Sequence, residues 1–387
     1  MREVPIPAKS AARNDETVTD TNCATHSRQV APHVPRDIFK VIDLFSGAGG
    51  MTQGFHLARG FRTVRAVESD PASAATFAAN FGDVVHVGPV AEWISRTSIP
   101  QVDVLVGGPP CQGFSMLGTQ DPDDPRNGLW RDFVDAVALA RPKYFVLENV
   151  SAFLRSAQFQ ALTSTTSPLG PLRDYAMTAG VLNAADYGAA QLRKRTIVIG
   201  HHRDLPSPGL PAPTHRREHI TLRSVLTNVP RVVRGTALPS HLTDVGGHPM
   251  PGTFSTDELH VGRNYTPVMA ARIRSVPRGG GRRDIPPELL PMCWGGDYRG
   301  SSDVMGRLSW DRPSVTIRTA FHQPEKGRYL HPSENRTITH LEAALIQGFP
   351  FSHRWVGSKA AIARQIGNAV PIPLAIAIAD HLKQHLV

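Results

Sequence analysis

Phe39-Lys40-Val41-Ile42-Asp43-Leu44-Phe45-Ser46-Gly47-Ala48-Gly49-Gly50 is the stretch that decides the fold. Its first half is a short run, apolar along most of its length, as expected of a strand buried on both faces. Ser46 to Gly50 then interrupts the run with glycines and turns the chain into a helix carrying Met51, Phe55 and Leu57. Glycines let another group approach the backbone closely, and a helix N-terminus offers free N–H groups. Working outward, residues 63–67 read as a second strand ending at Glu68, followed by a helix over 70–81. Further strands are expected at 84–87, 102–106, 144–148, 176–182 and 196–199, with a helix through Leu129, Phe133, Val134 and Val137. Such alternation implies an α/β, doubly wound, mostly parallel sheet with helices on both faces and a ligand site at the carboxyl ends of its strands. Asp43, Glu68, Cys111 and Glu148 all fall at or just beyond strand ends, which places the chemistry on one rim.

The 387 residues are 41% hydrophobic and 19% charged, ordinary for a soluble globular chain of one or two domains. Cys23, Cys111 and Cys293 have no paired spacing, which speaks against a disulfide framework and for a reducing, cytoplasmic setting. No zinc-type CxxC spacing occurs, so no metal site is expected. The start of the chain lacks an apolar leader, and no stretch approaches a membrane span. A formal net charge of +9 favours a polyanionic partner, nucleic acid first. Residues 1–37 lack periodicity and read as a disordered tail. From 202 to 313 prolines and glycines are frequent, long helices vanish, and the positive charges are all arginine. This region reads as a smaller, irregular basic domain inserted between 38–201 and 314–387.

Each motif has an ordinary alternative. The glycine turn after Phe45 is either a simple tight turn or a cradle for a nucleoside-containing cofactor. Glu68, roughly 20 residues past Gly49, suits a carboxylate that accepts from ribose hydroxyls. Cys111, in Gly107-Gly108-Pro109-Pro110-Cys111-Gln112-Gly113-Phe114-Ser115, is either a buried thiol or a positioned nucleophile; the stiff proline turn favours the second. Glu148 is a helix cap or an acid facing the same rim. Arg193 and Arg195 form a solvated charge run, or point to one face and reach a base, a phosphate or Glu148. Gly367-Asn368 is a helix end or closes over a ligand.

Taken in order, these segments resemble the cytosine-C5 DNA methyltransferase family. The matching pieces are 43–50, Glu68, 108–115, 148–150, 191–195, 341–350 and 365–371. Several motifs in the right order are far more specific than any one alone. The resemblance implies S-adenosylmethionine as cofactor, held by Phe45, Gly47, Gly49, Gly50, Glu68, Gly108, Leu129 and Asn368. It implies Cys111 as nucleophile toward C6 of a flipped cytosine, with Glu148, Arg193 and Arg195 completing the catalytic set. Gln112, Ser115 and Arg126 would contact DNA, and residues 202–313 would recognise the target in double-stranded DNA. The expected role is the modification half of a bacterial restriction–modification pair: a cytoplasmic monomer, with a cognate restriction endonuclease acting on the same site.

Three positions depart from the family pattern: Gly88-Pro89-Val90 stands where an acid is common, Ser69 follows Glu68 in place of an aromatic residue, and Leu341 replaces an arginine before Glu342. The competing readings are an RNA (tRNA) cytosine-C5 methyltransferase and a catalytically silent DNA-binding regulator. The arginine-rich insertion argues against the first, and the presence of Cys111, Glu148, Arg193 and Arg195 against the second.

Overall fold

The computed structural model describes residues 38–110, 128–233, 235–294 and 300–386. The expectations placed on residues 1–37 and on Cys111, Gln112, Ser115 and Arg126 lie outside these ranges. The chain begins β1 (Phe39–Leu44), α1 (Gly50–Leu57), β2 (Phe61–Glu68), α2 (Pro71–Phe81), β3 (Val85–Val87), α3 (Val90–Arg96) and β4 (Val104–Gly107). It continues with α4 (Leu129–Ala140), β5 (Tyr144–Val150), α5 (Ala157–Ser164), β6 (Tyr175–Asn183), β7 (Gln191–Leu192) and β8 (Lys194–His202). Each expected strand is therefore present.

The main sheet has the order β3-β2-β1-β4-β5-β8-β6. Pairing is parallel from β3 through β5, while β8 runs antiparallel to both β5 and β6. Alternate residues of one strand feed opposite layers, as the period of two requires. Val104, Val106 and Val146 face Phe55 of α1 and a carboxyl-terminal helix, whereas Leu105, Phe145 and Leu147 face Trp93 of α3 and Phe133 of α4. Both faces are thus covered, which explains the continuous apolar strands.

Beyond His202 the elements are short: α6 (Leu222–Leu226), the hairpin β9 (Leu242–Val245) and β10 (His248–Ser255), and α7 (Pro267–Ser275). β11 (Ser314–Val315) then pairs with β7, so the chain returns beside the point where it left. The remaining elements are α8 (His340–Gln347), β12 (Arg354–Val356), α9 (Lys359–Asn368) and α10 (Ile372–Leu386). β12 adds to β10, and Leu222, Phe254 and Leu259 share a buried cluster with Ile317, Ile346, Ile362 and Ile366. No single helix among the described residues is long and apolar enough to cross a membrane.

Candidate active site

Strand order reverses its direction of growth between β1 and β4, and a crevice opens beyond the carboxyl ends of such a pair. The loop after β1 lies there. Phe45 and Gly47 both have φ of 55°, and Gly49 has φ of 84°. A Cβ at Gly49 would run into the Phe81 ring, and one at Gly50 would come within 3.0 Å of the Val370 carbonyl oxygen. A Cβ at Gly47 would meet nothing within 4 Å, so this face of the loop is open.

Glu68, at the end of β2, is fixed by the backbone. Its Oε2 accepts from Gly47 N at 2.8 Å and its Oε1 from Asp70 N at 2.8 Å. Burial pushes the Glu68 carboxyl above the usual range, and the two N–H donors oppose that shift. The loop has a further support in the strand-end acid Asp43. Asp43 is buried under it, accepts from the Thr52 hydroxyl at 2.7 Å, and is pushed up to about 7 chiefly by burial.

β4 ends at Gly107, and Gly108-Pro109-Pro110 leads toward Cys111. A Cβ at Gly108 would lie 3.1 Å from Glu148 Oε2, so glycine is what lets this turn pass against the carboxyl. Glu148 sits on β5 with only 9% of its surface exposed. Its Oε1 forms an ion pair with Arg195 Nε at 2.9 Å. The antiparallel register explains that contact. Ile197 lies opposite Glu148 and Arg195 opposite Val150, so Arg195 is the diagonal, same-face neighbour of Glu148.

Arg193 does not share this role. It is 2% exposed, and its two terminal nitrogens donate to the carbonyls of Ile317 (2.7 Å) and Gly367 (2.9 Å). Burial, with Arg195 adding like charge, holds it well below the ordinary arginine range. The side chain ties the start of β8 to the residue preceding Asn368, rather than presenting charge to a substrate. Asn368 itself is exposed at the end of α9, and Leu129 is half-buried at the start of α4.

Three supports went unassigned in the sequence. Asn149 Nδ2 donates to the Pro109 carbonyl at 3.1 Å and so braces the turn before Cys111; its place directly after Glu148 was the available signal. Gln191 and Gln347 bond at 2.6 Å, and Gln191 Oε1 accepts from Ile317 N. Glu342 is buried and pairs through both oxygens with Arg336 at 2.8 Å, so a guanidinium is supplied there although Leu341 precedes it. A separate cavity of about 240 Å³, lined by Arg263, His322, His340 and Lys359 among others, lies at the opposite end of α9 from Asn368. With a rise of about 1.5 Å per residue, that is roughly 13 Å away along the helix.

The family model for the C-5 cytosine-specific DNA methylase matches residues 39–384. The chain belongs to this family. It is 35% identical over 348 residues to the Type II methyltransferase M1.HphI of Haemophilus parahaemolyticus, covering 88% of this chain and 85% of that one. It is 33% identical to the Type II methyltransferase M.NgoFVII of Neisseria gonorrhoeae, covering 86% and 83%. Among solved structures, one from E. coli described as a prophage-encoded DNA modification methyltransferase aligns with a TM-score of 0.66 at 25% identity, over 90% of this chain and 99% of that one. The S. pombe Dnmt2 methyltransferase aligns with a TM-score of 0.59 at 15% identity, over 90% and 98%, which shows the shared fold. The chain is therefore a DNA (cytosine-5-)-methyltransferase, and the rim from Phe45 to Glu148 is the candidate seat of its chemistry.

Proposed function

We propose that this methyltransferase modifies C5 of a cytosine flipped out of a specific duplex sequence, with S-adenosylmethionine as donor, as the modification partner in a restriction–modification system. The observation that carries the reading is the Glu148–Arg195 pair, held against the Gly108-Pro109-Pro110 turn that leads into Cys111.

The residues present fit the donor. Gly47 leaves an open cradle, Glu68 holds a fixed carboxylate beside it, and the buried Ser46 Oγ has no hydrogen-bond partner among the described residues. Phe45, Gly47, Gly49, Gly50, Glu68, Gly108, Leu129 and Asn368 would hold it. When bound, S-adenosylmethionine supplies a sulfonium methyl group as the electrophile.

The chain's own residues do the rest. Cytosine C6 is weakly electrophilic, so attack by the Cys111 thiolate requires that charge developing in the ring be offset. Arg195 pairs with Glu148 Oε1, which leaves Oε2 as the oxygen that would donate to N3. Addition at C6 makes C5 nucleophilic; after C5 is alkylated its proton passes to solvent water, the C6–S bond breaks to restore the ring and the thiolate, and the N3 proton returns to Glu148. Arg193 acts as a positioning residue through Gly367. Gln112, Ser115 and Arg126 would contact the DNA, and residues 202–313 would select the target, since the flipped base itself carries no flanking sequence. The enzyme would act as a cytoplasmic monomer beside a cognate endonuclease.

Bisulfite sequencing of DNA from a host expressing the chain should show 5-methylcytosine in one sequence context. Cys111→Ala should abolish transfer and leave duplex binding intact, and a duplex with 5-fluorocytosine at the target should trap a covalent adduct. Methyl transfer by the Cys111→Ala chain, or transfer to tRNA alone, would sink the reading.

A further inference from the structure

The arginines of the 202–313 region divide into two kinds. Some are engaged by the protein itself. Arg223 pairs with Asp311, and Arg272 donates to the Leu289 carbonyl and lies over the Trp294 ring. Arg307 is 4% exposed and donates to the carbonyls of Ile273, Val276, His331 and Glu334. Arg274, Arg278 and Arg283, by contrast, are exposed and make no hydrogen bond or ion pair with the described residues. All three belong to one feature, the last turn of α7 and the loop Val276-Pro277-Arg278-Gly279-Gly280-Gly281-Arg282-Arg283-Asp284-Ile285.

The loop backbone is fixed although these side chains are free. Val276 and Ile285 anchor its two ends at 2% and 3% exposure. The Gly280 carbonyl accepts from Arg307 N at 3.0 Å and from Arg328 Nη1 at 2.9 Å, and the Gly279 carbonyl accepts from the same Arg328 nitrogen. Asp284 is the loop's own carboxylate, and its Oδ2 accepts from Gly281 N at 2.8 Å, inside the loop. Gly279 has φ of +73°, and a Cβ there would meet nothing within 4 Å, so the backbone can be approached closely from outside.

Concentrating unpaired guanidiniums on a backbone clamped by two further arginines is electrostatically unfavourable unless a polyanion completes it. Burial, and to a lesser degree Arg278, holds Arg307 below the ordinary arginine range. The loop also connects to the catalytic rim. Tyr329, next to the clamping Arg328, accepts from Arg318 Nε at 2.8 Å, and the Arg318–Thr319 peptide packs on Gly367 beside Asn368.

We propose that the 276–285 loop docks on duplex DNA, with Arg274, Arg278 and Arg283 contacting its phosphates or guanine edges. The inference rests on the DNA-methyltransferase reading and adds which arginines touch the substrate. A fixed backbone presenting free planar forks suits both contacts, because little is lost in ordering it.

The test measures binding of the full chain to a labelled duplex bearing the methylated sequence, over a salt series. Arg278→Gln/Arg283→Gln is compared with Arg59→Gln/Arg62→Gln, an exposed pair outside 202–313 that removes the same charge. The loop pair should lose about ten- to hundred-fold in affinity. Phosphate contacts would also lower the salt slope by roughly 0.9 each, whereas base contacts would relax the sequence context seen by bisulfite sequencing. Melting temperature and S-adenosylmethionine affinity should match the wild type. Equal loss in both pairs would reduce the effect to net charge and overturn the proposal, as would no loss in the loop pair. Methylation of the same duplex by the wild type reports separately on the function.

Discussion

Replacing Arg193 by methionine separates a positioning role from a catalytic one. In the native chain its guanidinium holds two buried carbonyls, those of Ile317 and Gly367, at 2.7 and 2.9 Å. Removal strands both acceptors, at about 1–3 kcal/mol each. Methionine is of similar size and neutral, so it recovers part of the desolvation of a buried cation that has no bonded carboxylate. The net loss should be about 2–4 kcal/mol, seen as a melting temperature several degrees lower. Because Gly367 precedes Asn368, S-adenosylmethionine affinity measured by titration calorimetry should fall about tenfold, the equivalent of roughly 1.4 kcal/mol. The rate at saturating cofactor should change little, since Arg195 still holds Glu148. Native stability and cofactor affinity combined with a rate reduced more than about a hundredfold, roughly 2.7 kcal/mol of barrier, would refute this reasoning and restore Arg193 to the reacting groups.

The buried Asp43 makes stability depend on pH. Its carboxyl sits at about 7 in the folded chain, against an ordinary unfolded value near 4, so folding favours its protonated form. That contribution is complete below about pH 4 and is lost as the pH rises through about 7. Asp43→Asn should therefore gain melting temperature relative to the native chain between pH 5 and pH 8; a constant difference across that range would refute the assignment. Gly49→Ala and Gly247→Ala, the second in the two-residue turn between β9 and β10, place a side chain at left-handed φ of 84° and 83°, but only the first drives a Cβ into a ring, that of Phe81. The left-handed backbone alone costs about 1–2 kcal/mol, and overpacking adds about 1–3. Comparable melting temperatures for the two variants would contradict the packing described around the loop.

Much of the site was legible because its chemistry is local. The turn after β1, Glu68 at the end of β2, the Gly108-Pro109-Pro110 turn and Glu148 each follow an apolar strand closely in sequence, so strand ends alone bring them to one rim. Arg193 and Arg195 were less legible. Two residues apart in an extended run, they looked equivalent, yet one is bonded to Glu148 and the other to carbonyls 124 and 174 residues away. Asn149 was visible only as part of a motif, because its function is a bond to Pro109, in the turn that follows the neighbouring strand β4. Arg336 lay outside every motif singled out, yet it pairs with Glu342 from before the α8 cap.

By itself the sequence determined the α/β alternation, the strand ends that carry the chemistry and the family, since each is written in runs of a few residues whose periodicity and turn chemistry are local. Only the tertiary structure decided that β8 runs antiparallel beside β5, which is what puts Arg195 rather than Arg193 on Glu148. It alone also divided the arginines of 202–313 into those that hold carbonyls and those left free. Strand direction and hydrogen-bond partnership are set by which distant segments pack together, and no local pattern encodes that choice.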